Sequence, residues 1–412
     1  MSALNSVSKG HLRTQKVLSG LNVGIFISYV LLWIIALRDD LFWRADFTAF
    51  YTAGLMVRSG DAARLYEYAL QAHYQQQILQ GRSFLGGLLP YNYPPHLALL
   101  MAPLSIAPLY VAFGFWTLVQ GALLVWLLWL LRRIAAEWTL VERRALICTT
   151  LAMPMLLQTF LLGALSLFVT VMWLQFYLAL KAERREQSGL WLALVSVKPH
   201  LLPGLTLMLF VGRHWRALLA AAVVGALILC AVGWGLGWSR WWEFVEVLGR
   251  SASAENTLGI YPETMYNLKG TLVLLFPRWT ELSINRVVWG AFLVSLLFVS
   301  VLWRKGIRPQ SPDFELRLAI TFLLGMLFAP HFNPQDGLLL LLPALLTYIY
   351  LREQSGTGGA FATMMLFAPA LFLISEFTIG GALGIRIPTL AMAVLLIWLC
   401  VLLWRSTSKE PA

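Results

Sequence analysis

Arg44-Ala45-Asp46-Phe47-Thr48-Ala49-Phe50-Tyr51-Thr52-Ala53-Gly54 is where the chain leaves its first long apolar run and opens its longest polar excursion. An acidic residue just past a membrane exit, ahead of a small and aromatic helical run, sets a carboxylate at the boundary between lipid and water. Composition supplies the membrane: of 412 residues, 59% are hydrophobic and 12% charged, with a mean hydropathy of +0.72. Soluble domains carry about 25% charged residues. Apolar stretches of about 20 residues, the length of a spanning helix, recur along most of the chain. The fold class is therefore an all-α polytopic membrane protein, one bundle over residues 17–404, because no polar linker is long enough to separate two domains.

Residues 1–16 are polar and basic, and residues 17–37 run about the length of a bilayer. No small-residue cleavage site follows, so this is a first transmembrane helix after a cytoplasmic tail. Lys and Arg outnumber Asp and Glu, 31 to 20, but the surplus falls in short loops, where orientation in the bilayer explains it. There is no nucleic-acid signature. Cys148, Cys230 and Cys400 lie in apolar segments and read as small buried residues, with no disulfide expected.

The basic clusters (Arg132-Arg133 with Arg143-Arg144, Lys181 with Arg184-Arg185, Arg213 with Arg216, Arg304-Lys305 with Arg308, Arg352, Arg405 with Lys409) are assigned to the cytoplasm. Residues 17–37 then run outward, 38–95 are external, and 110–131 return. Residues 145–180 form a hairpin with its tip near 158–166. Residues 190–211, too short for two spans, become re-entrant half-helices broken at Pro199 and Pro203. Residues 217–238 exit, 239–283 are external, and 284–303 return. Residues 316–350 form a hairpin with its tip at 329–337; 360–377 and 388–404 form the last pair, and 405–412 are a cytoplasmic tail. The expectation is about twelve crossings. Residues 94–108 are read as a short helix in the outer leaflet.

With that sidedness, the polar motifs collect on the outer face. They are Asp46, Tyr91-Asn92-Tyr93-Pro94-Pro95-His96, Lys198-Pro199-His200, Tyr261-Pro262-Glu263-Thr264-Met265-Tyr266-Asn267 and Pro330-His331-Phe332-Asn333-Pro334-Gln335-Asp336. Irregular backbone at membrane depth is tolerated where it lines a cavity or is buried in protein, so these proline breaks predict one outward-facing cavity. In the first loop, 47–57 and 62–79 read as helices, with Gly60 as a stop and Asp61 as an N-cap. Tyr66, Leu70, Tyr74 and Ile78 share one face, with Glu67, Gln71, Gln75 and Gln76 elsewhere, which predicts an amphipathic helix lying in the interface. His73 is read as a solvated residue of that helix.

Asp46 fits two compatible roles, the N-cap of the helix that follows and a base at the floor of the cavity. Asp39 and Asp40 read as solvated charges. His331, at a hairpin tip sunk below the membrane surface, is either a satisfied structural residue or a donor to a phosphate, with Asn333 and Asp336 orienting it or capping the return helix. Lys198 lies far from either end of its apolar segment. An ionisable residue there is a functional hypothesis by default, and its partner is an anion: a phosphate, Asp46 or Glu263. His200, His96 and Lys269 are weaker versions of the same argument. There is no P-loop, GxGxxG after a strand, HExxH, G-x-S-x-G or paired-cysteine spacing. The six histidines show no metal-ligand spacing, so no metal and no cofactor are expected.

Asp46-Phe47-x-x-Phe50-Tyr51-x-Ala53-Gly54, then Tyr91-x-Tyr93-Pro94-Pro95, the Lys198-Pro199 break and the late Pro330-His331 resemble glycosyltransferase family 87, of the GT-C superfamily. The resemblance covers about residues 17–404 and implies a GT-C-like bundle in the cytoplasmic membrane with its active site on the extracytoplasmic face. It further implies a polyprenyl-phosphate sugar as donor, a hexose such as mannose as the group moved, a glycolipid or glycan hydroxyl as acceptor, membrane lipid as surroundings, and inversion at the sugar. In that pattern Asp46 is the base and His331 contacts the lipid phosphate; Lys198 and Lys269 are the candidate cations for that phosphate on the charge argument. Tyr51, Tyr91, Tyr93, His96, His200, Glu263, Asn267 and Asn333 are the expected substrate-binding residues. The family often has Gly-Gln where this chain has Gly163-Ala164, which removes one amide from the acceptor side. The rival reading is a lipid-linked-sugar flippase or small-solute transporter, which shares intramembrane charge and broken helices but needs a polar path to both faces.

Overall fold

The computed structural model describes residues 2–37, 45–80, 87–253, 261–306, 308–355, 358–374, 384 and 386–407. Asp39, Asp40 and Arg44 lie outside the described residues. Among those described there are 18 α-helices. The first, α1 (Ser2–Ala36), carries the polar tail straight into an apolar span over Arg13–Ala36. After it come the short helices α2 (Ala45–Arg58), α3 (Tyr68–Ile78) and α4 (Pro95–Met101), then the long apolar α5 (Leu109–Ile134).

Proline decides where the next segments break, because it has no N–H to donate and its ring crowds the preceding turn. Pro154 separates α6 (Leu140–Ala152) from α7 (Pro154–Leu162), which meet at 43°. α8 (Ser166–Lys181) returns from the tip. α9 (Arg185–Leu194) and α10 (Pro203–Val211) are joined by two 3₁₀ turns, Val195–Val197 and Pro199–Leu201, so the break expected at Pro199 and Pro203 is present. α11 (Trp215–Gly235), α12 (Ser239–Ser253), α13 (Leu268–Leu275) and α14 (Glu281–Trp303) follow. α15 (Phe314–Leu327) leads through the Pro330-His331 tip and a 3₁₀ helix, Pro334–Leu340, to α16 (Leu341–Ser355); α17 (Gly358–Ile374) and α18 (Ile387–Thr407) close the chain.

About twelve crossings were expected; six described helices are long and apolar enough to span, or seven if the bent α6–α7 pair is one span. Ser166–Lys181, Pro199–Val211 and Ala362–Ile374 are shorter apolar helices. Of the expected hairpin arms, Pro334–Gln354 and Ile387–Ser406 are long enough to span, while Ser166–Lys181 and Ala362–Ile374 are not.

α8 has two unlike ends. At its start the Ser166 hydroxyl donates to Asp336 at 2.6 Å; at its finish Lys181 pairs with buried Glu315 at 2.7 Å and Tyr177 donates to the same carboxylate at 3.1 Å. Between them Leu167, Val169, Val171, Trp173 and Phe176 are buried, and Trp173 meets Phe322 of α15 with ring centroids 4.5 Å apart. Apolar packing therefore separates a polar site end from a polar far end, where Glu142 bonds Tyr348 and faces Arg352.

The first loop differs from its sequence reading. The predicted helix over 62–79 is a 3₁₀ turn, Ala62–Arg64, followed by α3. Gln71 and Gln75 are buried, not solvated. Each amide splints the incoming loop: Gln71 accepts from Tyr91 N at 2.8 Å and donates to Leu65 O, while Gln75 both accepts from Leu89 N and donates to Leu89 O. A buried backbone needs partners, and these glutamines supply them. Asp61 makes no cap bond and instead accepts from Tyr74 at 2.6 Å. α12, directly after the α11 span, offers an apolar face outward with Trp242 and Val245 exposed, beside exposed Trp238 just before it.

Candidate active site

Asp46 lies in the first turn of α2, not at the cap position before it. The next residue, Phe47, is fully buried against Phe113 at 5.4 Å and Trp116 at 6.0 Å, which fixes where the carboxylate stands. The floor beneath Phe47 is Gly163, which ends α7 at φ +71; a Cβ there would come within 2.6 Å of Phe47 Cβ. Trp116 Nε1 holds the Gly163 carbonyl at 2.8 Å. The Gly163-Ala164 tip thus forms the wall that seats Asp46.

Two adjacent residues of the Pro334–Leu340 3₁₀ helix join this carboxylate to the rest of the site. Gln335 Nε2 donates to Asp46 Oδ2 at 3.0 Å, across 289 positions of sequence. Asp336 is fully buried and forms an ion pair with Lys198, which is 4% exposed, while also accepting from Ser166 Oγ at 2.6 Å and Asn333 N at 3.3 Å. The partner of Lys198 is therefore Asp336, where the sequence reading offered Asp46, Glu263 or a phosphate. A buried ammonium needs a fixed counter-charge, and Asp336 is anchored at three points.

His200 and His331 face one another with ring centroids 6.0 Å apart at 76°. His200 Nε2 is buried without a hydrogen-bond partner among the described residues. The charges around His331 are Asp336, Lys198 and Lys269, so Lys269 reaches the same cluster from α13. Tyr93 stands edge-on to Phe50 at 4.8 Å and lies in the field of both Asp46 and Asp336. The structure thus brings together Asp46, Tyr93, Lys198, His200, Lys269, His331 and Asn333. Gln335 and Ser166 are members that the sequence reading missed. The signal for Gln335 was its place beside Asp336 in a proline-bounded tip.

Other predicted residues stand elsewhere. The Tyr51 hydroxyl donates to Ala107 O at 2.8 Å, and the Tyr91 hydroxyl to Pro94 O at 2.7 Å. Asn267 is fully buried; its Nδ2 donates to Ala329 O at 2.9 Å and its Oδ1 accepts from Gly270 N at 3.0 Å. With Tyr266 N bonded to Phe332 O at 2.9 Å, that segment clamps the histidine tip. Glu263 is half-buried, its carbonyl held by Arg386 at 2.7 Å, and His96 is buried beside Trp241 at 5.9 Å.

The surroundings of Asp46 shift its titration. Burial raises its pKa from 3.8 to about 6; Lys198 opposes the rise, Asp336 adds to it, and the Gln335 bond lowers it. An acid or base that works near neutrality needs a pKa near its operating pH.

The profile described as Glycosyltransferase family 87 matches residues 91–330. The chain belongs to glycosyltransferase family 87. The matched region holds Lys198, His200 and Lys269; it begins after Asp46 and stops one residue before His331. Two curated proteins, both named Alpha-(1->3)-arabinofuranosyltransferase and from two strains of Mycobacterium tuberculosis, are each 33% identical over 142 residues. The match spans 34% of this chain and 33% of theirs. No solved structure matches the chain. This family 87 chain is a multi-pass membrane protein, with six described helices long and apolar enough to span.

Proposed function

We propose that the protein moves a hexose, mannose by expectation, from a polyprenyl-phosphate donor to the hydroxyl of a glycolipid or glycan acceptor on the extracytoplasmic face of the cytoplasmic membrane. Asp46 is the general base and the sugar inverts. The observation that carries this reading is a carboxylate raised to about 6 by burial and tied through Gln335-Asp336 to a buried lysine and two histidines.

Each reacting group has a counterpart. The acceptor O–H gives its proton to Asp46 as its oxygen bonds the anomeric carbon, and the anomeric C–O bond to phosphate breaks with the electron pair leaving on the phosphate. A placed base is worth about 10²–10⁴-fold. Lys198 and Lys269 supply the positive charge, and the neutral imidazoles of His200 and His331 supply hydrogen-bond donors, for the departing phosphate in a low-dielectric setting. Depth fits a lipid phosphate as well: α8 has 16 residues and α15 has 14, so they rise about 24 and 21 Å, short of a core about 30 Å thick. The site end is accordingly sunk within the membrane, where a phosphate on a prenyl tail would sit.

The sugar class is the open point between this reading and the relatives, whose name specifies a pentofuranose. The packed middle of α8 and α15 counts against a flippase, which needs a polar route from one end to the other. The test is transfer from radiolabelled polyprenyl-phosphate mannose, glucose and arabinofuranose into membrane glycolipid by wild type and D46N. We expect label from one donor in wild type and none in D46N, with donor binding kept. Turnover in D46N removes Asp46 as base; label from arabinofuranose alone replaces the hexose.

A further inference from the structure

The residue whose position has no structural explanation of its own is Gln335. It is 5% exposed and follows Pro334, and its neighbour Asp336 is held by Lys198, Ser166 and the Asn333 amide. Between these neighbours its side-chain amide reaches Asp46 Oδ2 at 3.0 Å.

An amide N–H keeps its proton at every pH, so Oδ2 stays occupied throughout a catalytic cycle. That leaves Oδ1 the less encumbered oxygen to receive a proton from an acceptor. The bond also competes with a local alternative. An acid in the first turn of a helix tends to fold back onto free backbone N–H groups, and Gln335 draws this one outward. The titratable groups facing Asp46 among the described residues are Lys198 from the broken segment, Asp336 from the 3₁₀ helix and Tyr93 from the loop before α4. Of the influences on Asp46, the Gln335 bond and Lys198 oppose burial and Asp336.

We propose that Gln335 is a positioning residue for the transfer reaction: it fixes one oxygen of Asp46, presents the other to the acceptor hydroxyl, and keeps the carboxylate ionised near neutral pH. This rests on the reading of Asp46 as base. Because the donor's phosphate is recognised elsewhere in the site, the effect belongs to kcat and its pH dependence and not to donor KM.

Two substitutions at one position separate this role from simple support. Q335L removes the donor; the acid limb of kcat then moves up by about one pH unit, since a hydrogen bond to the charged form is lost. The plateau falls about tenfold, with donor KM within about twofold. Q335E keeps size and shape but donates only when protonated. Its activity therefore declines as pH rises, over the range where Q335L recovers. Both are assayed in detergent-solubilised full-length protein alongside D46N. Opposite pH trends in the two variants are the expected result. A wild-type pH profile in Q335L, or equal losses at all pH with raised donor KM in both, overturns the inference. If D46N itself turns over, the base reading fails and this one with it; an inactive D46N beside an unaltered Q335L profile sinks Gln335 alone.

Discussion

Replacing Asp46 by asparagine should cost all transfer activity and yet make the protein more stable at neutral pH. The carboxylate's pKa is raised by burial from 3.8 to about 6 in the folded protein. An acid whose folded pKa lies above its unfolded value destabilises the fold wherever the unfolded chain has ionised more fully. The penalty is absent below pH 3.8, grows between there and about 6, and is complete above it. Two units at about 1.4 kcal/mol each set a ceiling of about 3 kcal/mol. Asp46 is half-buried, and solvent screening reduces this to about 1–2 kcal/mol. The amide oxygen of the asparagine still accepts from Gln335, so no new unsatisfied donor offsets the gain. Thermal unfolding of wild type and D46N in the same detergent, at pH 7.5 and again near pH 4, measures the difference. Stabilisation at the higher pH that vanishes at the lower is the expected pattern. Equal shifts at both pH values, or a less stable D46N at pH 7.5, would refute the argument that a strained charge is held there for use.

Acid should silence the enzyme through the same group: kcat/KM falls to about one tenth of its plateau at pH 5, one unit below the Asp46 pKa of about 6. At saturating donor the limb of kcat moves higher, because a phosphate beside Lys198 cancels the charge that holds Asp46 down; steady-state profiles at two donor concentrations show it. K198M leaves Asp336 buried without its counter-ion and should lower stability by about 3–5 kcal/mol along with activity. Adding D336L in the K198M background restores the fold but not the transfer, read by unfolding and turnover together. G163A pushes a methyl group to within 2.6 Å of Phe47 and strains a left-handed position, so turnover should drop while the rest of the bundle still folds, as checked by monodisperse elution.

What could be read from the sequence was set by contrast. Asp46 and Lys198 stood out because charge is rare in an apolar chain, and prolines 199, 203, 330 and 334 marked breaks that the structure contains. What could not be read was pairing. Lys198 and Asp336 are 138 positions apart, and the sequence pointed instead to a phosphate, Asp46 or Glu263 as its partner. The first-loop helix misled for a different reason. A four-residue period separates two faces but does not say which one meets water, and Gln71 and Gln75 turn inward because the loop carrying Tyr91 has backbone groups to satisfy. Gln335 sat inside the proline-broken Pro330–Asp336 motif with no role assigned, and only its three-dimensional target distinguishes it.

The arrangement of that turn has a consequence for the order of events. Gln335 and Asp336 are neighbours on one short 3₁₀ helix; the first bonds Asp46, the proposed base, and the second pairs with Lys198, proposed to meet the phosphate. A donor phosphate that draws Lys198 toward itself loosens Asp336, and Asp336 shares a backbone with the residue gripping Asp46. The same event changes the charge near Asp46 and removes an anchor from its positioning arm. Donor arrival is thus felt at the base by two routes, through the field and through the backbone. A carboxylate that becomes more basic when the leaving group is in place favours acceptor activation after donor binding, and an empty site keeps its lysine paired with Asp336.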